Sequence, residues 1–238
     1  MPRPSQAKEN LIKAATDLIW ENSYGSTSVD DICVRAEVRK GSFYHFFESK
    51  SHLTIASIDA AWSRCLPVLN ENFSPLIPPL ARFQQYAETV LATQLERYAQ
   101  TGHVAGCPLS SLGSEMSSQD EEIRQKIVAI FAQHLRFYES AIRDAAREKL
   151  IVAADPAFMA ETLQTFIQGA FTHARVLNDL TPIRRMGAGM LGILGVPPVV
   201  AKLAPPATTP SKPTGQFPGS KPSTPPTHAP LALTSTSR

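Results

Sequence analysis

The chain has 238 residues, 43% hydrophobic and 18% charged, with a formal net charge of +2. That composition suits one large or two small globular domains. Bulk charge gives no argument for a nucleic-acid or acidic partner, since residues 1–50 carry seven Lys and Arg against seven Asp and Glu. No apolar run approaches the roughly 20 residues that span a bilayer, the polar start MPRPSQAKEN predicts no secretory leader, and three scattered cysteines, Cys33, Cys65 and Cys107, make no disulfide framework, so a reducing, cytoplasmic setting is expected.

Leu11, Ile12, Ala15, Leu18 and Ile19 recur at helical spacing and predict an amphipathic helix over about residues 5–22. Ser28 with Asp31 reads as a capping box that opens a helix over 29–35, with Val29, Ile32 and Cys33 inward. A turn, AEV, leads to a very short helix over 40–47. Ser49 is an N-cap for a fourth helix through Leu53, Ala56 and Ala60, which Pro67 should kink or end. Prolines open the next, with Leu80, Phe83, Ala87, Val90, Leu91 and Tyr98 on one face. GCPLSSLGSEM predicts one or two turns. Ser118 and Glu121 read as the capping box of a long helix carrying Ile123, Ile127, Ile130, Phe131, Leu135, Tyr138 and Ile142. Asp155 and Pro156 open the next, and PIRRMGAGMLGIL closes the ordered part. About nine helices and no alternating run predict an all-α protein. Nine prolines fall in the last 35 residues, mixed with Ser and Thr, and predict a disordered tail. The expected boundaries are 1–48, 49–196 and 197–238.

The first three helices suggest a helix-turn-helix, whose second helix enters the major groove. A helix as short as 40–47 must be held by packing. On it Phe43, Phe46 and Phe47 share one face and should be buried, which leaves Tyr44 and His45 outside beside Gly41 and Ser42. The six His residues show no metal-ligand spacing, and no catalytic triad, paired carboxylate or phosphate loop stands out, so no metal, cofactor or enzymatic activity is expected.

The stretch TSVDDICVRAEVRKGSFYHFFESKSHL closely resembles the DNA-binding signature of TetR-type transcriptional repressors, with the match running over about residues 8–55. The resemblance implies a homodimer that binds a near-palindromic double-stranded DNA operator and is released when a larger C-terminal domain takes up a small-molecule or reactive electrophile effector. It implies DNA contacts at Ser28, Arg39, Lys40, Gly41, Ser42, Tyr44, His45 and Lys50, with Ser28 and Lys50 on phosphates. Two positions depart from the family pattern: Glu37 stands where Gly is common, and Arg39 stands where a capping Ser or Thr is common. Arg cannot cap in that way but can reach a guanine edge or a phosphate.

GHVAGCPLSSLGSEM resembles a branch that includes the repressor of N-ethylmaleimide reductase, in which the matching cysteine responds to electrophiles and oxidants. That implies a sensor role for Cys107, with Arg175 as a nearby cation and the helix N-terminus lowering the thiol pKa. Inert packing is the competing reading. Trp62, Phe83, Tyr86, Tyr98, Phe137 and Phe166 are candidates to line an effector pocket. Gly169, Ala170, Ala174, Gly187, Ala188 and Gly189, with Met186, Met190, Leu191 and Leu194, suggest a dimer face on the last two helices. An activator with the same fold, or a helical small-molecule-binding protein that does not bind DNA, are the alternatives.

Overall fold

In the computed structural model, residues 4–197 are described, and every regular element among them is helical. The elements are α1 (Pro4–Glu21), α2 (Val29–Ala36), α3 (Lys40–Phe46), α4 (Lys50–Asn72), α5 (Pro79–Thr101), α6 (Pro108–Met116), α7 (Glu121–Arg147), α8 (Pro156–Leu177), α9 (Thr181–Arg184) and α10 (Met186–Ile193). The count is ten, not nine, because Arg185 divides the last predicted helix in two. The expected disordered tail lies outside the described residues, apart from Pro197.

Local chemistry sets most of the ends. Ser28 Oγ accepts from Asp31 N at 3.1 Å while Asp31 Oδ2 accepts from Ser28 N at 2.8 Å, the reciprocal box expected at α2. Ser49 caps α4, Asp155 caps α8, and Pro79 opens α5. Two expectations are corrected. Pro67 does not end α4: it sits inside the helix, on its exposed side, and the helix runs on to Asn72, where Leu69 and Phe73 beyond the proline are buried. The cap of α7 is Asp120, not Ser118, since Gln119 N and Asp120 N still bond back to the Met116 carbonyl and delay the new helix.

The buried side chains form three clusters. Leu11, Ile32, Phe43, Phe47 and Leu53 centre the first, which joins α1, α2 and α3 to the start of α4. Ile58, Leu112, Met116, Ile123, Ile127 and Ile130 form the second, where α4 and α6 both pack on α7. The largest holds α5, α7, α8 and α10 together, with Phe73, Phe83, Tyr86, Tyr138, Leu163 and Ile167 among its members. Inside it the Arg82 guanidinium donates to Asp144 at 2.6 Å and to the Ile77 carbonyl at 2.8 Å.

The apolar face of α10 lies within this chain, contrary to its expected use toward a partner. Met186, Met190 and Leu194 are buried. A methyl on Gly189 would overlap the Phe166 ring, and one on Gly187 would meet Ala87 at 3.2 Å.

Candidate nucleic-acid interface and effector region

Helix α3 has seven residues and owes its place to its buried side: Phe43 is fully buried and Phe47, just past its end, is 2% exposed. Phe46 is only half-buried, against the expectation of full burial, and its ring meets that of the exposed His45 edge-on with centroids 4.9 Å apart. Tyr44 is 56% exposed and His45 is exposed, as the helical spacing requires. Arg39 is the N-cap and makes no side-chain capping bond, so its guanidinium stays in solvent. Gly41 is exposed, and a Cβ built there meets nothing within 4 Å. Glu37 holds a left-handed φ of 55° at the end of α2, the strained turn position expected of a residue that replaces Gly.

Three of the candidate contacts have internal partners. Ser28 is exposed but belongs to the α2 capping box. Lys40 pairs with Asp30 at 2.8 Å, and that carboxylate holds its ammonium above the usual lysine range. Lys50 Nζ donates to the carbonyls of Tyr24 and Thr27, both at 2.9 Å, and lies over the Tyr24 ring; burial pulls its pKa down. Lys40 thereby ties α3 to α2, and Lys50 supports the loop that leads into α2.

That loop is also held from the effector region. Glu115 on α6 accepts from Tyr24 N at 2.9 Å and from Gly25 N at 2.6 Å. Cys107 is the N-cap of α6, with Pro108 at the first helical position. Part of the residue's surface is open, but its thiol is packed in. Burial pushes that thiol up, and hydrogen bonds from Ser110, the Leu109 backbone and Gln168 offset only part of the rise. The expected lowering by the helix N-terminus is therefore overridden by desolvation. Arg175 flanks the same segment, donating to the Ala105 carbonyl at 3.3 Å and to Ser111 Oγ at 2.9 Å.

The expected pocket residues pack on one another. Phe73 contacts Phe83, Tyr86 and Phe137 with ring centroids 5.5 to 5.9 Å apart, and Trp62 stacks against His134 at 5.0 Å. Burial lowers the His134 pKa and raises that of Tyr86. Phe166 fills the notch at Gly189.

Trp20 and Arg97 were not singled out by periodicity, because Trp20 lies beside the apolar stripe of α1 and a lone Arg on α5 reads as surface. In the structure Trp20 Nε1 donates to the Ala105 carbonyl at 3.2 Å, and the Arg97 guanidinium stacks 3.4 Å from the centre of the Trp20 ring. Arg175 Nη2 reaches the Asn22 carbonyl at 3.4 Å. A cleft of about 410 Å³ opens here, lined in part by Trp20, Glu21, Arg97, His103 and Arg175. No helix among the described residues is long and apolar enough to cross a membrane.

Residues 11–56 match the family described as "Bacterial regulatory proteins, tetR family", and residues 79–190 match "Tetracyclin repressor-like, C-terminal domain". The transcriptional regulator AcuR of Cereibacter sphaeroides is 31% identical over 177 residues, 74% of this chain and 79% of that protein. The HTH-type transcriptional repressor NemR of Escherichia coli is 25% identical over 81% of this chain and 96% of its own length. A solved regulatory protein TetR from Rhodobacter sphaeroides superposes with a TM-score of 0.70 at 27% identity, covering 77% of this chain and 96% of that one.

Proposed function

The chain belongs to the TetR family of bacterial regulatory proteins and is a DNA-binding transcriptional regulator, and we propose that it is a cytoplasmic repressor that binds a near-palindromic operator as a homodimer and leaves it on a chemical signal. The observation that carries the DNA-reading assignment is the division of α3: Phe43 anchors it, while Arg39, Lys40, Gly41, Ser42, Tyr44 and His45 line its outer side. Arg39 is the candidate for a guanine edge, Lys40 and Ser42 for phosphates, and the Tyr44 ring for a thymine methyl. The open space over Gly41 suits close approach of a duplex. Residues 1–48 would read DNA and residues 49–196 would bind effector and dimerise.

The dimer face is assigned to α8. Phe158, Thr162, Thr165, Gly169, Thr172 and Val176 follow one another at three- and four-residue spacing, and Phe158 and Val176 are 65% and 78% exposed. Such a stripe is the seam that a second helix packs against. Two recognition helices would then lie about 34–36 Å apart, or a multiple of that, on the operator.

Release is assigned to movement of α6. Cys107 starts this helix and Glu115 on it holds the Tyr24–Gly25 backbone, so an adduct on Cys107, or a ligand that shifts α6, would loosen the loop before α2. The raised thiol restricts a covalent signal to strong electrophiles or oxidants. Gel-shift titration against the DNA upstream of the protein's own gene, with and without N-ethylmaleimide or hypochlorite, tests this. Wild type should be released and Cys107→Ser retained; equal release of both would remove Cys107 from the reading.

A further inference from the structure

Arg97 is half-buried against the Trp20 ring, and among the described residues its guanidinium has neither a hydrogen-bond acceptor nor an ion-pair partner. Of the three carboxylates that act on its charge, Asp17 pairs with Lys13 at 2.7 Å and Glu21 with Arg35 at 3.3 Å, while Glu96, its neighbour in the chain, is exposed and does not bond to it. A partly desolvated guanidinium, with five donors, ordinarily has a partner. This one borders the cleft of about 410 Å³, where Arg175 stands as a second cation, held by Ala105, Ser111 and Asn22. That volume is within the range of small-molecule sites.

We propose that this cleft binds a small organic carboxylate, its oxygens accepting from Arg97 and Arg175 and its apolar body lying against Val104 and Ala105. The lining sets the class: two arginines stand beside Glu21, which Arg35 already pairs, so the cleft favours an anion, and Val104 and Ala105 favour one with an organic body. Planar carboxylates also suit the guanidinium fork. The site joins the last turn of α1 to α5 and α8, so its occupancy bears on how α1 is held; that consequence alone rests on the DNA-reading assignment.

Calorimetric titration of the full chain without DNA tests the site directly, using acetate, benzoate, neutral benzamide and inorganic phosphate as probes. Benzoate is expected to bind and benzamide not. Arg97→Gln should weaken benzoate about 10- to 100-fold, the loss of a charged hydrogen-bond partner. Arg97→Lys, which keeps the charge but not the fork, should fall between wild type and Arg97→Gln and serves if the glutamine variant unfolds early. Failure of both acetate and benzoate to bind wild type, unchanged benzoate binding in Arg97→Lys and Arg97→Gln, or tighter binding of phosphate than of benzoate would each overturn the proposal. Loss of operator binding by the wild type would instead sink the regulator reading and leave these titrations standing.

Discussion

Lys50 Nζ sits 3.9 Å from the centre of the Tyr24 ring and donates to the carbonyls of Tyr24 and Thr27. With Glu115 accepting from Tyr24 N and Gly25 N, the loop between α1 and α2 is fastened on two sides. The position that the family resemblance assigns to a phosphate contact is, in the free protein, a strut.

Lys50→Ala should therefore lower stability as well as DNA affinity. Losing two charged hydrogen bonds and a cation–π contact at a half-buried site costs about 2 kcal/mol, read as a lower urea midpoint. A residue that only touched phosphate would weaken DNA binding and leave the midpoint where it was.

The two sides of α3 should separate cleanly in mutants. Phe43→Ala removes a fully buried ring and should cost about 3–5 kcal/mol of stability. Tyr44→Ala, at a residue 56% exposed, should stay within about 0.5 kcal/mol yet weaken operator binding at least about tenfold. Thermal melts and anisotropy titrations of both variants make the comparison; a stability loss for Tyr44→Ala matching that of Phe43→Ala would refute the division.

Arg82 is 3% exposed and holds Asp144, whose carboxyl it keeps below the ordinary 3.8. A depressed carboxylate contributes stability that is fully present above its unfolded value and is lost as pH falls through its folded value. Acid unfolding should accordingly steepen below about pH 4, and Asp144→Asn should flatten that part of the profile. Arg82→Met should cost about 3 kcal/mol at neutral pH, since it leaves the Ile77 and Pro75 oxygens without their donor and Asp144 with Arg147 alone.

Because burial raises the Cys107 thiol, iodoacetamide should label it more slowly than free cysteine at neutral pH and speed up only above the usual cysteine range. Ser110→Ala removes the hydroxyl hydrogen bond that favours the thiolate, leaves the backbone one, and should shift that profile modestly upward. Peptide mass spectrometry across a pH series reads both effects; faster labelling than free cysteine at pH 7 would contradict the buried thiol.

Helical periodicity, caps and the α3 motif made most of the fold legible in the sequence. The misreadings have physical causes. Pro67 was outweighed by the burial of Leu69 and Phe73 beyond it, and the α7 cap moved to Asp120 because the turn after Met116 keeps bonding backward. The small residues of α10 pointed to a partner, whereas Phe166 and Ala87 of the same chain fill the space they leave. The two sides of α3 were legible because they are local, one short helix with a buried and an exposed face. The junction was not: Trp20, Arg97, Ala105 and Arg175 are far apart in the chain, and no local pattern brings them together.

The most direct test of the central claim is fluorescence anisotropy of the purified protein with the DNA upstream of its own gene at low salt. Saturable binding that weakens with rising salt, and that Tyr44→Ala and Lys40→Ala reduce without unfolding the protein, is the predicted result. A folded protein that binds this DNA no better than unrelated DNA, or that binds equally well after both substitutions, would contradict it.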